Sequence, residues 1–188
     1  PSFKFQLAGH YYLLTNYSYI NKYYQLQQES SIFNVLQIAL QKTIKLGKRW
    51  NWHAEVYFQQ VVGNAPVNVP AIYTRNRIAY EGDLGFKNLD IALGFEARYR
   101  SPYKADGYSP VLGQFYQQDS ITISNPLPDL SAYVHFRIKP FKAFIRFENL
   151  NAARNLDGFG FTKNNMLAPG YPLPGLQIRI GVYWGFVN

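Results

Sequence analysis

The stretch LQIRIGVYWGF, residues 176–186, alternates apolar residues with polar or small ones along its whole length. Successive side chains of a β-strand point to opposite faces of the sheet. A period of two therefore predicts a strand with one apolar face and one polar face. Two aromatic residues, Trp184 and Phe186, stand at its end. This pattern is typical of the closing strand of an antiparallel β-barrel.

The same alternation recurs upstream and predicts eight strands in all. Their expected bounds are 3–20, 32–45, 49–61, 73–86, 90–100, 130–139, 141–149 and 175–187. Several of these segments are longer than the usual strand of about five or six residues. About ten tilted residues is the length that crosses a lipid bilayer.

The expected connections between these strands are of two kinds, which alternate along the chain. Tight turns are expected at 46–48, at 86–89 and at Pro140, and long loops at 21–31, 62–72, 101–129 and 150–174. Short turns on one rim and long loops on the other are the arrangement of bacterial outer-membrane barrels. We therefore predict an all-β fold, a transmembrane antiparallel up-and-down β-barrel, with residues 1–188 as one domain.

Composition narrows the class of protein. Aromatic residues make up 18% of the 188 residues, which suits the two aromatic belts of a membrane barrel. Cysteine is absent, which excludes disulfides and thiolate metal sites. The net charge is +8, yet Lys and Arg do not form runs, so we expect no nucleic-acid partner. The chain begins at Pro1 without a signal peptide, and we expect a mature form or a fragment.

Alternation alone does not tell which face of a barrel is inside, but the positions of the aromatic residues favour one answer. Trp50, Trp52, Trp184 and Phe186 lie next to the short turns, whereas Tyr17 and Tyr19 lie toward the long loops. Two belts at opposite strand ends match two membrane interfaces. The apolar faces are therefore expected to point outward to lipid, in the bacterial outer membrane.

The inward face would then be charged. Its expected basic members are Lys4, Arg75, Arg77, Arg98, Arg100, Arg137, Lys139, Lys142, Arg146 and Arg179, and its acidic members are Glu55, Glu81, Asp83, Asp90, Glu96 and Glu148. These charges could line an aqueous pore with a bias toward anions, or pair into a sealed polar core. An eight-stranded barrel has room for little more than side chains. So many long side chains favour a wider barrel, of which these strands are a part.

Three histidines are the candidates for catalysis. His10, His53 and His135 each fall on a polar strand face, where hydrogen bonding inside the lumen is the simplest role. The sequence has no Gly-x-Ser-x-Gly motif, no phosphate loop and no metal-ligand spacing. We expect no enzymatic activity, no cofactor and no metal.

Four stretches resemble a known family. They are VPAIYTRN at 69–76, GQFYQQ at 113–118, IKPFKAFIRFENLN at 138–151, and YPLPG at 171–175 followed by the alternating stretch at 176–186. In this order and spacing they resemble the putative porins of Bacteroidetes. Members of that family are several hundred residues long, so the resemblance is to their C-terminal part. The ending Trp184-x-Phe186 also resembles the signal that the barrel-assembly machinery reads.

The resemblance implies an outer-membrane porin that passes small solutes by diffusion, or a barrel subunit of an outer-membrane complex. Its partners would be outer-membrane lipid and lipopolysaccharide, the assembly machinery, and other subunits of such a complex. The best candidates for tuning a pore are Arg75, Arg77, Arg98, Arg100, Arg137 and Arg146.

Two alternatives remain open at this point. One is a non-conducting barrel whose loops dock a partner protein through exposed aromatic residues. The candidates are Tyr103, Tyr108, Phe115, Tyr116, Phe159, Phe161 and Tyr171. The same residues could instead pack together over the mouth of the barrel. The other alternative is a soluble ligand-binding β-barrel, in which the apolar face would point inward.

Overall fold

The structure is a computed structural model that describes residues 5–63, 65–153 and 164–186, most of them in β-strands. The strands are β1 (Phe5–Leu14), β2 (Tyr17–Ile20), β3 (Leu26–Glu29), β4 (Phe33–Lys45), β5 (Trp50–Val62), β6 (Ile72–Gly82), β7 (Leu89–Arg100), β8 (Gly107–Ser109), β9 (Gln114–Tyr116), β10 (Asp129–Ile138), β11 (Phe141–Glu148), β12 (Met166–Ala168), β13 (Tyr171–Pro172) and β14 (Gln177–Trp184). One 3₁₀ turn, Leu150–Ala152, follows β11. Within the described residues, no helix is long and apolar enough to cross a membrane.

Eight of the strands form one antiparallel sheet in the order β1-β4-β5-β6-β7-β10-β11-β14. Each long strand pairs with the next long strand of the chain, so the up-and-down antiparallel arrangement is confirmed. The predicted closure into a barrel is not confirmed, because within the described residues β1 and β14 are the two edges of an open sheet. A closed eight-stranded barrel has little room inside, and one face of this sheet carries long charged side chains.

The strand bounds agree with the sequence in most places. The main exception is the predicted strand 3–20, whose residues 3 and 4 lie outside the described part of the chain. It ends at Leu14, because Asn16 adopts a left-handed φ of 52° and turns the chain out of the sheet. The predicted strand 73–86 ends earlier, at Gly82, because Leu84 and Gly85 also have positive φ.

The connections fall on two rims, as predicted. The short turns at 46–49, 83–88 and 139–140 lie on the same rim as the end of β14, since each long strand reverses direction. The long connections 15–32, 63–71, 101–128 and 149–176 start and end on the opposite rim, where the strands that they join begin and end. They are not plain loops, because three of them contain a short hairpin: β2 with β3, β8 with β9, and β12 with β13.

Cross-strand pairing assigns every sheet residue to one of two faces, since paired residues share a face. One row consists of Ile44, Trp52, Ile78, Phe95, Ala132, Phe147 and Ile178. The neighbouring row on the other face consists of Thr43, His53, Arg77, Glu96, Ser131, Glu148 and Gln177. Phe95 is 66% exposed, whereas Glu96 beside it is 2% exposed. The apolar face is therefore the exposed one, and we call the charged face the inner face.

Candidate functional site

Glu96, in the middle of β7, is the centre of an ionic network on the inner face. Its Oε2 accepts hydrogen bonds from Arg75 Nη2 at 2.7 Å and Arg75 Nε at 2.9 Å. Its Oε1 accepts one from Arg146 Nη2 at 2.7 Å, and Arg98 Nε lies 3.6 Å away. A carboxylate that is almost fully buried needs such charged donors to replace water. Glu96 therefore stays an anion that draws three arginines together.

The network continues through Glu148 to the edge of the sheet. Glu148 Oε1 lies 3.0 Å from Arg146 Nε, and Glu148 Oε2 lies 2.9 Å from Arg179 Nε. Arg146 and Arg179 are direct cross-strand neighbours, an arrangement that destabilises a sheet when the charges are alike. The shared carboxylate of Glu148 offsets that repulsion. The Arg75–Glu96–Arg146–Glu148–Arg179 ladder thus alternates in charge across the inner face.

A second ion pair lies closer to the long-loop rim. Arg100 Nη1 is 3.3 Å from Asp129 Oδ2, and Asp129 Oδ1 accepts a hydrogen bond of 2.6 Å from Asn165 Nδ2. Asp129 is 5% exposed. Asp129 is not among the predicted inner-face acids, because residue 129 falls within the expected loop 101–129. Asp129 lies two residues before Ser131, so the period of two would have placed it on the same charged face.

Near the short-turn rim, the side chains of Thr43, His53, Asn51 and Glu81 form a hydrogen-bonded group on the inner face of β4, β5 and β6. Glu81 accepts a hydrogen bond of 2.8 Å from Asn51 Nδ2, and its Oε1 lies 3.0 Å from His53 Nε2. The other ring nitrogen of His53 lies 3.0 Å from Thr43 Oγ1. The imidazole therefore links β4, β5 and β6 by hydrogen bonds.

Four cations of the inner face make no ion pair within 4.0 Å in the described part of the chain. They are Lys45, Arg77, Arg137 and Lys142, and Lys142 Nζ instead lies 5.6 Å from the centre of the Tyr183 ring. Lys139, which the sequence placed on the inner face, sits in the turn after β10 with a φ of 52°. These groups leave positive charge that the ladder does not neutralise.

Counting the described strand residues, the inner face holds more bases than acids. The nine bases are Lys45, Arg75, Arg77, Arg98, Arg100, Arg137, Lys142, Arg146 and Arg179, and the six acids are Glu55, Glu81, Asp90, Glu96, Asp129 and Glu148. Asp83 lies in the turn after β6, and Lys4 lies outside the described residues. The face therefore carries an excess of three positive charges.

Two of the cations without an ion pair, Arg137 and Lys142, border a cavity of about 560 Å³ near the short-turn rim. Its inner-face lining combines Arg137, Lys142 and Asp90 with the rings of Phe144 and Tyr183. The Phe144 ring lies against Gly181 on the neighbouring strand, where an added side chain would collide with it. This end of the inner face thus presents both positive charge and aromatic surface.

The aromatic residues predicted for the short-turn rim lie on the exposed face. Trp50, Trp184 and Phe186 are 45%, 59% and 84% exposed, and the last two rings stack with centres 5.4 Å apart. Trp52 shares that face and donates its indole N–H to Asn76 Oδ1 at 3.1 Å. Tyr17 and Tyr19 are not at a sheet end, because both belong to the β2–β3 hairpin.

The aromatic residues of the long loops largely contact one another. Tyr108 packs against Phe115 and Tyr171, with ring centres 5.2 Å and 5.3 Å apart. Tyr116 meets Tyr24 edge to face at 5.0 Å. Phe159 and Phe161 lie outside the described residues.

Within the described part of the chain, no three His, Asp or Glu side chains come together as a metal site would require.

Comparison with known proteins adds one match. The profile of a family described as putative porin matches residues 1–188, the whole of the chain. No curated protein and no solved structure matches the chain significantly.

Proposed function

Because the chain belongs to the putative porin family, we propose that its sheet forms part of the wall of an outer-membrane β-barrel through which small solutes diffuse. The apolar face would contact lipid, and the inner face would line the aqueous lumen. The short-turn rim would face the periplasm and the long loops the exterior, as in other bacterial barrels.

The observation that carries this proposal is the reversed burial of Phe95 and Glu96. Exposed apolar surface costs about 25 cal/mol per Å² in water. On this face it recurs from one side of the sheet to the other, at Ile38, Leu40, Phe58, Ile78, Phe95, Ile178, Ile180 and Val182. Hydrocarbon removes that cost. A soluble ligand-binding barrel would need the opposite arrangement, with the apolar rows inside.

The open edges support a larger assembly. The outer backbone groups of β1 and β14 have no strand partner within the described residues. Unpaired backbone groups are not tolerated in the hydrocarbon region, so a membrane sheet has to close. We propose that further strands, from this chain or another subunit, complete a barrel wider than eight strands. Lipid, lipopolysaccharide and the assembly machinery are the partners that such a barrel requires.

The arrangement of charge supports a mild preference for anions. Most arginines of the inner face are held by Glu96, Glu148 or Asp129, so they contribute little net field to a pore. Arg77, Arg137 and Lys142 are not neutralised in this way. A ring of uncompensated cations biases a pore toward anions.

Reconstitution into planar lipid bilayers tests the proposal. We expect stepwise conductance and, across a KCl gradient, a reversal potential that indicates modest anion preference. Protein that inserts into the membrane but never conducts would contradict the diffusion pore. Protein that remains monodisperse without detergent would contradict the membrane location itself.

A further inference from the structure

A cleft of about 600 Å³ opens between the β2–β3 hairpin and the β8–β9 hairpin on the long-loop rim. It is separate from the charged inner face, and none of the pore-lining candidates contributes to it. Its lining residues are Tyr17, Ser18, Tyr19, Ile20, Tyr24, Leu26, Pro66, Asp106, Leu112, Gln114, Phe115 and Gln117.

Three contacts hold the two hairpins in place. The backbone N–H of Gln117 donates to the carbonyl of Ile20 at 2.7 Å. Tyr24 packs edge to face on Tyr116, and Lys22 Nζ lies 3.6 Å from Asp119 Oδ1. The cleft is therefore formed before any ligand arrives, as small-molecule sites usually are.

Four of the lining residues are aromatic: Tyr17, Tyr19, Tyr24 and Phe115. The Tyr17 and Tyr19 rings are parallel to within 15°, with centres 6.4 Å apart, and Phe115 is 54% exposed on the opposite hairpin. The face of an aromatic ring carries partial negative charge. The C–H groups of a sugar ring carry the complementary partial positive charge, and they pack on such faces.

Polar groups stand beside these rings. Asp106 offers its Oδ2 as an acceptor, because its Oδ1 already accepts a hydrogen bond from Asn68 Nδ2 at 3.3 Å. Gln114 and Gln117 each offer both donors and acceptors, and Ser18 adds a hydroxyl. A hydroxyl group of a ligand both donates and accepts hydrogen bonds, so it can pair with either kind of group in the cleft. An apolar ligand would leave the polar groups of the cleft unpaired, which costs binding free energy.

The charge of the lining selects among polar ligands. Asp106 is its single acidic residue, and no Lys or Arg lines the cleft. A phosphate, sulfate or carboxylate on a ligand would thus meet a carboxylate and no cation. The volume falls in the range of small-molecule pockets. We propose that this cleft binds a neutral saccharide of one or two sugar units at the outer rim of the protein.

Calorimetric titration of the intact protein in a detergent without a sugar headgroup tests this proposal, with maltose, cellobiose and lactose as probes. At least one disaccharide should bind with an affinity that is the same at low and high NaCl, because a neutral ligand is not screened. The Phe115→Ala and Gln114→Ala variants should each bind about tenfold more weakly, the loss of one good contact. Tyr23→Ala is the matched control, since Tyr23 is 70% exposed and does not line the cleft.

Failure of all three disaccharides to bind would overturn the proposal, and so would equal weakening by Tyr23→Ala and Phe115→Ala. A lysine-rich peptide that binds in their place, with an affinity that falls as salt rises, would show instead a cation site at Asp106. None of these outcomes depends on conductance, so they leave the pore proposal to its own test.

Discussion

Arg146 of β11 reaches past the whole of β10 to donate a hydrogen bond to Glu96 of β7, with Nη2 and Oε1 2.7 Å apart. The intervening strand contributes Ser131 opposite Glu96 and Tyr133 opposite Arg146, and both side chains are buried. The same carboxylate holds Arg75 from the other side. One anion therefore ties together strands that are not neighbours in the sheet.

Removing the charge of Glu96 should destabilise the sheet. In the Glu96→Gln variant, Arg75 and Arg146 lose their shared carboxylate, and we expect a loss of about 1–3 kcal/mol in the free energy of unfolding, since both arginines keep some access to water. Urea unfolding in detergent measures this loss. Glu81→Gln is the control, because its carboxylate is 42% exposed and it should cost much less. Equal effects would contradict the central role of Glu96.

Selectivity and stability should depend on different cations. Arg137 has no carboxylate partner and is exposed, so Arg137→Gln should lower the anion preference of the pore and change stability by about 0.5 kcal/mol or less. Arg146→Gln should destabilise by about 1–3 kcal/mol, because it leaves Glu96 and Glu148 partly unpaired. Reversal potentials and urea midpoints of the two variants separate the effects. If Arg137→Gln leaves the reversal potential unchanged, the assignment of Arg137 to the pore is wrong.

Gly94 should not tolerate a side chain. A Cβ at this position would collide with the carbonyl oxygen of Ile78 and lie 2.9 Å from the Cα of Ala79. Backbone atoms cannot move aside as a side chain can, so Gly94→Ala should cost about 1–3 kcal/mol. Gly9→Ala, with open space around the new Cβ, should be neutral or slightly stabilising. Comparable folding yields and urea midpoints for the two variants would contradict the close approach of β6 and β7.

The turn at 83–88 gives a prediction for pH. The hydrogen bond from the backbone N–H of Gly85, with the nearby Arg49 guanidinium, holds the pKa of Asp83 below its usual value. A depressed carboxyl pKa stabilises the folded state at neutral pH, and that contribution disappears as the pH falls through the folded-state pKa. The wild-type protein should therefore exceed Asp83→Asn in stability at pH 7, and the difference should vanish in strong acid. A difference that is the same at both pH values would refute this account of the turn.

The sequence predicted the strands of the sheet well because alternation is a local signal. The stretch at 176–186 and β10 need only their own residues to show which side chains share a face. The points at which a strand ends were harder to predict from the sequence. Asn16 ends β1 through its left-handed backbone, although its neighbours Thr15 and Tyr17 are both good strand formers.

The pairing of charges could not be predicted from the sequence. Alternation places Arg75, Glu96 and Arg146 on one face, but it does not state which strands come together or in which register. The distinction between neutralised arginines and the unpaired Arg77 and Arg137 depends on that register. Closure is also a property of the whole sheet, which explains why eight barrel-like strands did not by themselves produce a barrel.

Accessibility of the two faces in a lipid bilayer tests the central claim most directly. The natural chain has no cysteine, so single spin labels can be placed through Ile78→Cys and Leu93→Cys on the apolar face, and through Thr43→Cys and Ala92→Cys on the inner face. Electron paramagnetic resonance then compares collisions with oxygen, which concentrates in lipid, and with a water-soluble nickel chelate. We expect labels at 78 and 93 to meet oxygen and labels at 43 and 92 to meet the chelate. Equal access of the chelate to both pairs, or the reverse pattern, would contradict a membrane sheet with a charged inner face.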